Sequence, residues 1–383
     1  MTKSIYFVGA GFTKGLQQRM PIPMMMDFVQ VMAHYASRDD VVLMALIGLE
    51  GEGCFEHKNH VLKALANDIR PKRHRRKLLA GVLHRDPESI EALLSSAERI
   101  DRRFTKLTHR SLLAAINDPV LRTQYAISRM FFRIGWRLRL DTLKQYLALR
   151  ARQPRSRHTF VSFNYDLVLE HALEAAGASW SAKAGYGVRF AWAILEDPSE
   201  GAGAPVVPLA GTAASNIRVL KPHGSLNWLL PSDGRTRLPV VATTVEGHVR
   251  YIGSTETHAG IRFLDELPVR VAPFILPPTS SKNTDLAILR NLRKKEAAAL
   301  QSADELYVIG WSIPRTDVDQ VKLIQQAVAR RQKPFSRVVV VNYRQPERYY
   351  HRVARLFGFP LRRVERFDDG VLDFIASQLA IAG

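Results

Sequence analysis

The chain has 383 residues, 46% of them hydrophobic, with 55 Lys and Arg against 36 Asp and Glu and a formal charge of +19. That length and apolar content exclude a disordered chain and imply one large domain with an insertion, or two domains. A single cysteine, Cys54, excludes an intrachain disulfide framework and a four-cysteine zinc site.

The first element is "SIYFVGAGFTKGL" (residues 4–16), an apolar strand that runs straight into Gly9, Gly11 and Gly15. Open α/β sheets place a phosphate-holding turn in this position after the first strand. The stretch lacks a small-x-small ending and meets Lys14, so it reads as a strand and not as a signal peptide. The apolar run "VVLMALIGL" (residues 41–49) is too short to cross a bilayer, and with the near-absence of cysteine it suggests a cytoplasmic protein without a membrane partner.

Residues 36–154 read as helices at 3.6-residue spacing. In "DPESIEALLSSAERI" (residues 86–100), Asp86 is a candidate N-cap, Pro87 suits the first helical position, and Ile90, Leu93, Leu94 and Ala97 share a face. A second amphipathic stretch runs from residue 118 towards Arg152. The basic run "RPKRHRRK" (residues 70–77) is either a solvated helix face or a contact for nucleic acid, an acidic subunit or a phosphate. No nucleic-acid-binding motif accompanies it, so any nucleic-acid contact is expected to be indirect.

The α/β pattern resumes at "HTFVSFNYDLVLEHALEAAG" (residues 158–177): a strand over 158–163, a polar "NYD" exit, and a helix over 167–176 closed by Gly177. Residues 178–275 are irregular, with short strands such as "RVAPFIL". A helix (286–303), a strand (305–310), a helix (317–331) and a strand (337–342) follow. The alternation predicts an α/β, doubly wound, mostly parallel Rossmann-like sheet from residues 1–35 and 155–383, with residues 36–154 as a large helical insertion.

Ligands of such sheets bind at the carboxyl ends of the strands. Four predicted strands end in small or polar residues: "GAGFT" (9–13), "FNYD" (163–166), "GWS" (310–312) and "VNY" (341–343). Between the second and third stands "LKPHGSLNW" (220–228). Pro222 fixes its own φ and restricts Lys221, and Gly224 accepts angles closed to other residues, so His223 is presented on a stiff bend.

Taken in order, these segments resemble the motifs of the sirtuin superfamily, and more closely its bacterial NAD-cleaving branch found in anti-phage defence. "GAGFT" (Gly9, Ala10, Gly11, Phe12, Thr13) resembles the opening glycine motif, "SFNYD" the asparagine motif with Asn164 and Asp166, and "KPHGSLNW" the His-Gly motif with His223, Gly224 and Ser225. "PFILPPTSSK" (273–282) and "YVIGWSIPRTD" (307–317, with Gly310 and Ser312) are typical of the bacterial branch, and "VVVN" ends in Asn342. The resemblance implies NAD as substrate, Asn164 and His223 as catalytic residues, and the other named residues as NAD-binding. Asp166 would accept from the nicotinamide carboxamide, and Asn342 would meet the adenosine ribose. Two departures stand out: the segment after the His-Gly motif has no cysteine, so no zinc module is expected, and "MPIPMMMDF" (20–28) lacks the arginine of the usual first-loop continuation. Both weaken the case for peptide deacylation.

Cleaving the nicotinamide–ribose bond builds oxocarbenium-like charge on the sugar, as in glycoside hydrolysis. Asn164 can both donate to and accept from a ribose hydroxyl or a water. An imidazole is a suitable general base in the neutral pH range, so His223 is the candidate base. The resemblance therefore implies an NAD glycohydrolase, an abortive-infection effector that acts as a homo-oligomer or with a partner such as a hexameric DNA-translocase-type ATPase or an Argonaute-type protein. The alternatives are an NAD- or ADP-ribose-binding subunit without turnover, an ADP-ribosyl transferase or cyclase, and a nicotinamide-dependent dehydrogenase. For the individual residues, turn formation and helix capping by Asn164, Asp166, Ser225 and Ser312 is the competing role.

Overall fold

The computed structural model describes residues 1–16, 127, 131, 140–178, 180–188, 190, 192–194, 206–208, 216–231, 240–242, 261–264, 267–276, 287–314 and 317–382. The chain divides into two compact units, Met1–Met20 with Arg137–Leu276 and Ser280–Gly383, and Pro21–Trp136 with Pro277–Thr279. The predicted helix at 86–100, the basic run 70–77 and Cys54 lie outside the described residues; of the amphipathic stretch from 118 towards Arg152, residues 127, 131 and 140 onwards are described, and 141–151 are helical.

Twelve strands are described in the first unit: β1 (Thr2–Val8), β2 (Ser156–Ser162), β3 (Trp192–Ile194), β4 (Val206–Pro208), β5 (Ile217–Leu220), β6 (Gly224–Pro231), β7 (Val240–Ala242), β8 (Ile261–Leu264), β9 (Leu267–Ile275), β10 (Glu305–Ile309), β11 (Arg337–Val341) and β12 (Val364–Phe367). Six of them form a parallel sheet in the order β12-β11-β10-β1-β2-β5. Its helices are α1 (Ala10–Leu16), α2 (Asp141–Ala151), α3 (Val168–Ala175), α4 (Ala182–Gly185), α5 (Ala287–Ser302), α6 (Val318–Ala329), α7 (Glu347–Phe357) and α8 (Val371–Ala382).

The central strand explains why the sheet is covered on both sides. Ile5, Tyr6, Phe7 and Val8 are all buried, as a continuous apolar run in a parallel sheet requires. Neighbouring residues on a strand point to opposite faces. Tyr6 stacks on Phe160 (4.3 Å between ring centroids) and Tyr307 (4.5 Å), and Tyr307 lies 6.1 Å from Phe374 of α8. Phe7 stacks on Trp311 (5.7 Å) and meets Phe357 of α7 at 5.1 Å. Helices therefore pack on both faces, and the protein has the doubly wound, Rossmann-like α/β fold expected of it. Helix α2, at the end of the segment read as an insertion, packs against α3 and α8 of this sheet.

Strands β2, β5 and their crossovers extend the sheet to one side of β1, while β10, β11 and β12 extend it to the other. The topological switch point lies between β1 and β10, and its carboxyl end is the ligand crevice of this architecture. The four exits anticipated from sequence all leave this edge, because β1, β2, β10 and β11 run parallel.

The segment read as irregular holds a second sheet in the order β4-β3-β7-β6-β9-β8, mostly antiparallel. Only residues 221–223, the histidine turn, separate β5 in the parallel sheet from β6 in the second.

Candidate functional site

The glycines at the switch point make a backbone-to-backbone seam. Gly11 donates its N–H to the Gly310 carbonyl (2.9 Å) and Gly9 donates to Ile309 (3.1 Å). A Cβ on Gly9 would stand 2.6 Å from Trp311 Cα, and one on Gly11 2.9 Å from Gly310 Cα. Gly310 itself has φ +60°. These positions require glycine because the first turn and the β10 exit are in direct contact, a reason the sequence alone did not supply. Helix α1 begins at Ala10, so Phe12 and Thr13 of the glycine motif are buried helical residues.

The β2 exit is tied to this seam. Asn164 donates through Nδ2 to the Gly9 carbonyl (3.0 Å) and to Thr13 Oγ1 (3.1 Å). The Thr13 hydroxyl in turn donates to Asp166 Oδ2 (2.9 Å), and Asp166 Oδ1 accepts the Val168 N–H (3.2 Å) at the start of α3. Burial pushes the Asp166 carboxyl above its ordinary range, with Lys221 and the Thr13 hydroxyl pulling the other way. Both Asn164 and Asp166 thus hold the strand exit in shape.

The histidine turn closes over the same exit. Gly224 donates to the Lys221 carbonyl (3.0 Å), which makes residues 221–224 a tight turn. Gly224 has φ +83°, and a Cβ there would stand 1.9 Å from the Phe274 carbonyl oxygen. Leu226 donates to the Tyr165 carbonyl (3.2 Å), and the His223 ring lies 5.4 Å from the Phe163 ring and 6.4 Å from the Tyr165 ring. His223 Nε2 sits 3.2 Å from Asp317 Oδ1, with both side chains buried.

Beneath the turn runs a buried polar network. The Lys221 ammonium is fully buried and donates to Glu170 Oε1 (2.8 Å) and to the carbonyls of Asp166 and Tyr165. The Tyr186 hydroxyl lies 3.0 Å from Glu170 Oε1 and 3.1 Å from Asn227 Oδ1. Ser225, expected at the ligand, is buried and donates to Asn227 (2.8 Å). It belongs to this network and not to the crevice wall. Ser312 is exposed at the β10 exit, where its carbonyl accepts from Arg352. At the β11 exit the Asn342 side chain accepts the Tyr343 N–H (3.0 Å).

Asp317 lay inside a quoted motif without an assigned role; no local pattern signals a contact with a residue so far away in the chain. Next to it, Glu296 of α5 is buried and accepts from Gln320 of α6, while its Oε2 has no hydrogen-bond partner among the described residues. Burial drives its carboxyl up to about 8. The native state then keeps a proton that the unfolded chain releases near pH 4.5, so this group's stabilising contribution falls as pH rises towards 8. Wild-type protein is expected to lose about 2 kcal/mol from this group between pH 6 and pH 8. Glu296→Gln should abolish that loss in denaturant titrations at the two pH values.

Among the described residues, no cluster of three or more His, Cys, Asp or Glu is arranged to hold a metal ion, and no helix is long and apolar enough to cross a membrane.

The chain matches no family model and none of the curated proteins. Among solved structures it is similar to sirtuins. One, solved for the structural basis of sirtuin substrate affinity, has a TM-score of 0.42 and 10% identity, with 100% of this chain and 94% of that chain covered. A Sir2 in complex with the inhibitor EX-527, 2'-O-acetyl-ADP-ribose and a deacetylated p53 peptide has a TM-score of 0.40 and 9% identity over 100% and 94%. A third, on the mechanism and regulation of Sir2 enzymes, has a TM-score of 0.39 and 10% identity over 99% and 92%.

Proposed function

We propose that the protein is an NAD glycohydrolase. The observation that carries this reading is the convergence of two separate segments on one strand exit. The Asn164 loop is hydrogen-bonded to Gly9 and Thr13, and the His223 turn packs on Phe163 and Tyr165 of that loop. Both lie at the carboxyl edge of the sheet, beside its switch point. The motif resemblance supplies the substrate class.

In the proposed reaction the ribose C1′–N bond breaks and its electron pair neutralises the pyridinium, releasing nicotinamide. A water oxygen bonds to C1′, and its proton passes to His223 and then to solvent, leaving ADP-ribose. The Asn164 carbonyl oxygen orients the water or a ribose hydroxyl. Assembly, with copies of itself or with a partner of the translocase or Argonaute type, is the proposed trigger, and anti-phage defence the proposed setting. Hydrolysis is favoured over transfer and cyclisation as the simplest outcome of the shared bond cleavage.

A second reading, NAD binding without turnover, draws on one observation: the Asn164 amide already donates to two groups of the protein. The two readings separate when nicotinamide release and NAD binding are both measured on the full chain, alone and with candidate partners. Asn164→Ala is expected to lose at least 10²-fold in release while NAD still binds. Unchanged release in both Asn164→Ala and His223→Ala overturns the first reading, and tight binding without turnover in every assembly establishes the second.

A further inference from the structure

Asp317 is the N-cap residue of α6, yet its side chain makes no capping hydrogen bond to that helix. An aspartate in this position ordinarily accepts a backbone N–H from the first turn, an interaction typically worth about 1 kcal/mol. Here the carboxylate turns away from its own helix, and Oδ1 stands 3.2 Å from His223 Nε2. Both side chains are buried, with relative exposures of 6% for His223 and 0% for Asp317. The backbone around Asp317 is anchored: its N–H donates to the Pro314 carbonyl (3.2 Å) and its carbonyl accepts from Val321 (2.9 Å). It therefore approaches the imidazole from a fixed support at the end of the β10 exit, the exit that also carries Gly310.

We infer that Asp317 is a positioning residue for His223: its carboxylate accepts the Nε2 proton, fixing the tautomer and the plane of the ring so that the lone pair of the neutral imidazole lies on Nδ1. The inference rests on the proposed NAD cleavage for its consequence in rate, but the tautomer it assigns is independent of any activity. The two ring nitrogens of histidine are chemically distinct, and a hydrogen bond made by one sets the state of the other. A carboxylate that orients a base in this way enters no bond to substrate. The neighbouring Glu296 fits the arrangement. Its carboxyl is driven up to about 8, by burial first and with the Asp317 carboxyl also raising it, so it stays protonated at neutral pH.

The test uses the full chain with ¹⁵N-labelled histidine and the variants Asp317→Asn and Asp317→Ala, each compared with wild type by denaturant titration to confirm folding. In wild type the neutral His223 ring is expected to show the Nε2–H signature, and Asp317→Ala is expected to give a mixture of tautomers. In the release assay both variants should lower kcat at least 10-fold with KM for NAD changed less than 3-fold, because Asp317 touches the base and not the substrate. A wild-type ring protonated at Nδ1, or an unchanged tautomer in folded Asp317→Ala, overturns the inference. So does kcat per folded molecule equal to wild type in both variants while His223→Ala is inactive. If wild type releases no nicotinamide in any assembly, the NAD-cleavage reading fails, and the tautomer measurement still decides the role of Asp317.

Discussion

Lys221→Met is expected to destabilise the protein by roughly 3–5 kcal/mol in denaturant titration, among the largest effects of any single substitution in the sheet unit. The ammonium has three protons, and the structure provides three acceptors: Glu170 Oε1 and the carbonyls of Asp166 and Tyr165. Methionine fills much of the same volume and supplies none of those protons. Glu170, itself buried, is then left without its cation, with the Tyr186 hydroxyl still beside it. An uncompensated charge in such a place accounts for most of the loss, so adding Glu170→Leu should recover a good part of it. Equal stability in the single and double variants would show that packing, and not charge, sets the effect. The same lysine ties the Asn164 loop to the histidine turn, so the single variant should also be less active at temperatures where it remains folded.

His223→Ala is expected to reduce nicotinamide release by about 10²- to 10⁴-fold, the range typical for loss of a general base. The variant also leaves Asp317 buried without its imidazole partner, so a loss of stability accompanies the loss of rate. Measuring release per folded molecule, from circular dichroism and denaturant titration on the same sample, separates the two. NAD affinity should change little, because the proposed role of the ring is in the transition state and not in ground-state binding. A fall in affinity alone, with kcat intact, would make His223 a binding residue.

The parallel sheet was legible in the sequence because its strands are buried on both faces. "IYFV" and "VVVV" are unbroken apolar runs ending in glycine or a polar residue, and they recur between amphipathic helices. The turn at His223 was legible for a similar local reason, as Pro222 and Gly224 carry their backbone preferences with them. Of the second sheet, "RVAPFIL" anticipated β9 (Leu267–Ile275), but the sheet itself was not legible. Strands β3, β4 and β7 have three residues each, too short for an alternating pattern to stand out from a loop. Strand β12, "VERF", is a four-residue edge strand with two exposed charged residues and carries little strand signal.

At the site, the residue types pointed to strand exits that share one edge of the sheet but not to what their side chains touch. Ser225 looked like a ligand contact because it follows His-Gly, yet its hydroxyl is turned into a buried network by the neighbouring Asn227. Asp317 closes the motif "YVIGWSIPRTD" with no role suggested by its neighbours in sequence, yet its carboxylate stands 3.2 Å from His223 Nε2, far earlier in the chain. Such pairings are set by how two sheets and a helix end come together, and no window of sequence contains them.

The three-residue link between the sheets has a mechanical consequence. Three residues span at most about 11 Å, so the imidazole hangs on a hinge pin common to both layers and has no slack of its own. Its alignment is a joint property of the two layers. Damage around Phe274, whose carbonyl faces Gly224 in the second layer, should impair function as lesions in the crevice do. A companion molecule that grips the antiparallel layer would hold a lever whose short arm ends at the His223 imidazole.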